Sequence, residues 1–226
     1  MSIYPAGTVT FLFTDIEGST RLARKYPDAW PALQAQHHAL LLAAFNTHRG
    51  HVFQTIGDEV DAAFETALDA LAAALAAQRA LYTEDWGGKG PIRMRMGLHT
   101  GPAMSRGDGY EGYLTLAHSK RLMSIASGGQ ILLSESTQAL LGDSLPEGVT
   151  LQNLGEHRLK DFEQSEHIFQ AVVQDLPADF PRLKSQQSVP NNLPSQLTSF
   201  IGRIKEMDEV KRMLSKESLR KNRCVR

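Results

Sequence analysis

Residues Thr8 to Thr14, TVTFLFT, form a short β-branched and aromatic run without polar alternation, which fits a central strand covered on both faces. A strand of that kind needs a layer on each side of its sheet, so it sets the architecture of the rest of the chain. The run ends at Asp15. Residues 17 to 47 read as helix, opened by a Gly18-Ser19-Thr20 cap, broken into pieces by Pro27 and Pro31, and closed between Asn46 and Gly50. Val52 to Ile56 and Val60 to Phe64 are strand-like runs joined by Gly57-Asp58-Glu59, a connection of hairpin length.

Thr66 to Tyr82 is rich in Ala and Leu with helical apolar periodicity. From Ile92 to His99, apolar Ile92, Met94, Met96 and Leu98 alternate with Arg93, Arg95, Gly97 and His99, the pattern of a half-buried strand with both arginines on its solvated face. A loop, 105–113, follows. Leu114 to Ala126 suits a helix, Gln130 to Leu133 a strand, Glu135 to Leu141 a helix, and Val149 to Leu159 and Glu166 to Val173 two strands. The order implies an α/β sandwich.

Composition narrows the function. A formal net charge of −1 gives no general electrostatic case for binding nucleic acid or an anionic membrane. The longest mostly apolar stretch, Ala62 to Tyr82, is interrupted by Glu65, Asp69, Gln78 and Arg79, which argues against a membrane span. The N-terminus lacks the basic start and cleavage site of a secretory signal, and Cys224 is the lone cysteine, so a cytoplasmic location is expected. After Gln174 the composition changes to Pro, Ser, Gln and Asn. The expected division is one domain over 1–175, a linker over 176–196, and the opening of a second domain over 197–226.

Asp15 stands at a strand exit, followed by Glu17, Gly18, Ser19 and Thr20 at a helix start. Free backbone N–H groups and the positive end of a helix dipole seat phosphate, and a carboxylate beside them can hold Mg²⁺ on it. The same residues equally suit an ordinary helix cap. Asp58, with Gly57 supplying unusual backbone angles, is either a hairpin turn residue or a second carboxylate able to bridge a pair of metal ions.

Taken together, F-L-F-T-D-I-E-G-S-T, then T-I-G-D-E-V-D-A-A-F, then R-M-G-L-H-T-G resemble the class III adenylyl and guanylyl cyclase family in order and spacing. The resemblance continues through G-G-Q-I-L-L-S and L-G-E-H-R-L-K-D-F and covers about residues 5 to 173. It implies a ferredoxin-like βαββαβ core with extra C-terminal strands, and a head-to-tail homodimer with ATP or GTP at the interface. It also implies two Mg²⁺ or Mn²⁺ ions held by Asp15, Asp58 and the Ile16 carbonyl. Glu17, Gly18, Ser19 and Thr20 would cradle the triphosphate, with Gln54 and Gly57 also at the nucleotide. The implied reaction is attack of the ribose 3′-hydroxyl on the α-phosphate with release of pyrophosphate.

Three positions depart from the family. Gln54 stands where adenylyl cyclases carry a purine-reading lysine, and an amide both donates and accepts hydrogen bonds. A subset of bacterial cyclases with C-terminal regulatory ATPase domains is similar in this. The expected asparagine falls on Leu116 or Ala117, and the expected purine-reading aspartate on Gly109 or Tyr110, with Asp108 displaced nearby. Arg121 matches the family's catalytic arginine, and Lys160 stands where a basic residue often lies near the leaving phosphates. Thr115 and His118 are substitutes for the asparagine only if the helix is rephased, and His118 otherwise reads as a surface residue. A weak or inactive nucleotide-sensing dimer module is the alternative. The tail N-N-L-P-S-Q-L-T-S-F-I-G-R resembles the entry to a signalling ATPase domain, without a phosphate loop.

Overall fold

The computed structural model describes residues 4–142 and 144–185; the expected second domain and the second half of the linker lie outside them. The elements run β1 (Gly7–Ile16), α1 (Ser19–Lys25), α2 (Trp30–Thr47), β2 (His51–Ile56), β3 (Glu59–Phe64) and α3 (Ala67–Thr83). They continue with β4 (Met94–Arg106), β5 (Gly109–Glu111), α4 (Tyr113–Ile125), β6 (Ile131–Leu133), α5 (Glu135–Leu141), β7 (Val149–Arg158) and β8 (Ser165–Val173). One eight-stranded sheet carries the order β2-β3-β1-β4-β6-β8-β7, with β5 paired to β4. This is the mixed α+β sheet expected for the cyclase-type fold.

The β1 run is covered on both faces. Leu12 and Ile16 join Leu41, Phe45, Leu71 and Met96 in the larger core, beside α2 and α3, while Phe11 and Phe13 meet Met123 of α4 on the other face. Alternating side chains of one strand thus enter two apolar layers, which is what a fully apolar strand is for. Glycine lets α4 lie close. A Cβ on Gly97 would stand 2.6 Å from the Met123 backbone nitrogen, and one on Gly101 2.8 Å from the Thr115 hydroxyl oxygen. The glycines of R-M-G-L-H-T-G are therefore the surface on which α4 rests. Thr66 caps α3 by accepting the Asp69 N–H at 3.0 Å.

Several boundaries differ from the sequence expectation. Asp15 lies inside β1, because β4 continues the pairing through Asp15↔Arg95 and Ile16↔Met94. Pro31 does not break a helix; it sits in the first turn of α2, where the missing N–H is harmless, and the break falls at residues 26–29. The expected loop at 105–113 is mostly a hairpin in which β5 folds back on β4. The chain also stays packed beyond Gln174. Leu183 joins the apolar cluster of Leu132, Leu159 and Ile168, the Gln170 amide donates to the Ala178 carbonyl at 2.7 Å, and Arg79 pairs with Asp175 at 2.6 Å. A few apolar side chains suffice to pin a proline-rich segment that composition alone reads as a free tether. No helix among the described residues is long and apolar enough to cross a membrane.

Candidate active site

The end of β1 is held to the β2–β3 turn and to β3 by hydrogen bonds. The Ile16 N–H donates to Asp58 Oδ2 at 3.1 Å, and the Thr14 hydroxyl donates to the Val60 carbonyl at 2.6 Å. Asp15 and Asp58 therefore stand on neighbouring strand ends, one residue apart through the Ile16 amide. Gly57 makes the turn possible, with φ of 62° and no atom near the place of a Cβ.

Arg95 was expected on a solvated strand face, and the structure places it elsewhere. It sits directly opposite Asp15, both side chains are mostly buried, and its guanidinium pairs with the Asp15 carboxylate. Alternation along β4 shows which way Arg95 points, but the residue it meets depends on the β1–β4 register. Burial depresses the tendency of this arginine to hold its proton, and Asp15 supplies the compensating charge.

Beyond β1, the Glu17 N–H donates to the Arg93 carbonyl at 2.9 Å, and Gly18 turns the chain with φ of 73° into α1. The first intrahelical bonds run from Arg21 and Leu22 to the Gly18 carbonyl, so the Ser19 and Thr20 amides start the helix without an intrahelical acceptor. Glu17, Gly18 and Thr20 line an open hollow of about 640 Å³ with Arg21 and Arg24. Those two arginines add positive charge beside the proposed phosphate seat, and they were not singled out from the sequence.

Gln54 lies on β2 opposite Asp61 of β3, and its amide Nε2 donates to Asp61 Oδ2 at 3.1 Å. Asp61 is fully buried, and its Oδ1 accepts the Thr14 N–H at 3.3 Å. Burial first, and Glu59 beside it, push its carboxyl up to about 8. Lys120 of α4 in turn pairs with Glu59 at 2.8 Å.

Arg121 and Lys160 come together at another place. Arg121 pairs with Asp161 at 2.5 Å, and both cations line a pocket of about 260 Å³ with Ser124, Ile125, Lys184 and Ser185. Lys184 belongs to the segment read as linker and also reaches Glu17, at 3.9 Å. The two substitutes for the missing asparagine are engaged otherwise. The Thr115 hydroxyl donates to the Pro102 carbonyl at 2.8 Å, and His118, far from being a surface residue, is largely buried, paired with Glu166 and stacked on His99 at 3.8 Å. Leu116 packs against the core and offers no polar contact, while the Tyr110 ring sits edge-on to Phe11 at 4.9 Å.

Asp15 and Asp58 suit hard divalent ions. Mg²⁺ uses few carboxylates and keeps positions for water and phosphate oxygens, and no group of three or more His, Cys, Asp or Glu side chains able to hold a metal occurs among the described residues. The pair, with a strand-end carbonyl, has the oxygen chemistry that such ions take.

Comparison with known proteins places the fold and the family. An uncharacterised protein of Mycobacterium tuberculosis H37Rv is 37% identical over 202 residues, covering 88% of this chain and 68% of that protein. The receptor-type adenylate cyclase GRESAG 4.3 of Trypanosoma brucei brucei is 28% identical, over 74% of this chain and 17% of that much longer protein. Among solved structures, a Trypanosoma brucei adenylate cyclase in its monomeric state superimposes with a TM-score of 0.71 at 24% identity, covering 80% of this chain and 96% of the other. The adenylyl cyclase CyaB of P. aeruginosa does so with 0.65 at 22%, covering 76% and 97%. Residues 1–171 match the family described as the adenylate and guanylate cyclase catalytic domain, and the chain belongs to that family.

Proposed function

We propose that this chain is a nucleotidyl cyclase of intracellular signalling, converting ATP in preference to GTP into the 3′,5′-cyclic nucleotide and pyrophosphate. The observation that carries the reading is the tethering of Asp58 to the Ile16 amide, which brings its carboxylate to the residue next to Asp15. Asp15, Asp58 and the Ile16 carbonyl would hold two Mg²⁺ or Mn²⁺ ions. Bound there, the ions would neutralise phosphate charge and make the ribose hydroxyl more acidic. The Ser19 and Thr20 amides, with Arg21 and Arg24, offer donors and charge for the phosphates. Arg95 pairs with Asp15, and its cation would be available to phosphate if that carboxylate held an ion.

Arg121 and Lys160 line a hollow separate from the one formed by Glu17 to Arg24. That division supports a site completed by a second copy of the chain, one copy giving the carboxylates and the other the cations. Phosphoryl transfer asks mainly for such positioning and charge. The alternative, a weakly active or inactive sensing module, is favoured by the engagement of Thr115 and His118 elsewhere, which leaves the ribose without its usual asparagine.

The test is purified protein with ATP or GTP and Mg²⁺ or Mn²⁺, assayed for cyclic product. Turnover that disappears in Asp15→Ala and Asp58→Ala, with unchanged folding, is expected. Nucleotide binding without any product from either substrate would select the sensing module, and unchanged turnover in both variants would remove the metal assignment.

A further inference from the structure

The buried Asp61 has no part in the metal site, yet among the described residues it is the only buried Asp, Glu, Lys or Arg, and both its oxygens are committed. Oδ1 accepts the N–H of Thr14, a backbone group of the central strand, so its role is fixed. Oδ2 accepts the Gln54 amide N–H, and this bond decides how the amide lies. An amide is an acceptor on one side and a donor on the other. With its nitrogen held by Asp61, Gln54 has its carbonyl oxygen left for a ligand.

Resting on the cyclase reading and on Gln54 meeting the base, we propose that Asp61 is a positioning residue for purine selection. By holding the Gln54 amide nitrogen, it presents the carbonyl oxygen to the base and selects adenine over guanine. The chemistry follows from the purine edge. Adenine carries an amino donor at C6, which a carbonyl oxygen accepts, whereas guanine carries an oxygen there, which the same carbonyl repels. A lysine in place of Gln54 only donates, so the present arrangement reads the base by a different bond. In the bond as it stands Asp61 Oδ2 is the acceptor toward Gln54. Its raised affinity for a proton is met by the hydrogen bond shared with Glu59, whose charge Lys120 balances.

Asp61→Asn tests this with almost no change of shape. Asn Oδ1 still accepts from Thr14, but the other position now carries an NH₂, so Gln54 must turn its carbonyl toward residue 61 and its amide toward the base. The ratio of kcat/KM for ATP to that for GTP is measured in the full chain, alongside the ratio of affinities from displacement of a fluorescent nucleotide analogue. Wild type is expected to favour ATP, and Asp61→Asn to move both ratios about tenfold or more toward GTP, the scale of one well-placed base contact. Gln54→Leu should bring the ratios near one, and Asp61→Asn added to it should change nothing further. Ratios unchanged in Asp61→Asn, a wild-type preference for GTP, or ratios unchanged in Gln54→Leu would each overturn the proposal. If the chain binds nucleotide without turnover, the cyclase reading fails while the affinity ratios still decide the role of Asp61.

Discussion

At the scale of single residues, the site is governed by charges held where water is scarce. Asp15 is neutralised by Arg95, so Arg95→Ala leaves a mostly buried carboxylate unpaired and should cost about 1–3 kcal/mol in metal-free protein, read by denaturant unfolding. Added Mn²⁺ should recover more stability in that variant than in wild type, because the ion replaces the lost cation. Equal effects of Mn²⁺ on both would separate Asp15 from metal binding. Asp61 gives a pH signature. Its carboxyl ionises near 3.8 when unfolded and near 8 when folded, so the folded state alone keeps the proton between those values. The contribution of Asp61 to stability is full below pH 4, falls as pH rises, and is lost above pH 8. Asp61→Asn should therefore flatten the decline of stability from pH 4 to pH 8, measured by thermal melts across that range.

At the scale of elements, β4 and α4 decide where the cations point. Gly97 lets α4 approach the sheet to backbone contact, and Gly97→Ala would force the helix away. We expect a loss of about 1–3 kcal/mol, together with a fall in kcat, since Arg121 and Lys120 ride on the displaced helix. A stable variant with full activity would show that the contact does not position them. The same pair of elements marks what sequence makes readable. The β1 run and its covered faces, the Ala-rich α3 and the α5 boundaries follow from pattern and propensity, because those signals are local. The Arg95–Asp15 contact, the burial of His118 and the grip of Asp61 on Gln54 all depend on which strand or helix lies opposite, and no spacing along the chain encodes that. Motif order drew attention to Asp15, Asp58 and Gln54, but not to the groups that set their charge and orientation in the structure.

At the scale of the whole molecule, the chain past β8 belongs to the fold. Ending it after Asp175 removes Leu183 from its apolar cluster, the Ala178 carbonyl from Gln170, and Lys184 from the pocket of Arg121 and Lys160. A chain ending at 175 should lose about 2–4 kcal/mol against one ending at 185, in line with two partly buried aliphatic side chains, Leu176 and Leu183, and two hydrogen bonds, from Gln170 to Ala178 and between His157 and Ser185. Lys184→Ala in the longer chain should weaken inhibition by pyrophosphate while leaving stability nearly unchanged. Both effects point to the same arrangement, a cationic pocket finished by residues that follow the last strand. In the proposed reaction one copy gives the carboxylates and the other gives Arg121 and Lys160, so two copies must face each other. The measurement that tests this most directly mixes Asp58→Ala protein with Arg121→Ala protein, each inactive alone. Random exchange of subunits puts one intact site in each mixed dimer, and the mixture is expected to recover about a quarter of wild-type cyclase activity. A mixture as inactive as its components, with subunit exchange demonstrated, would contradict a site shared between two copies.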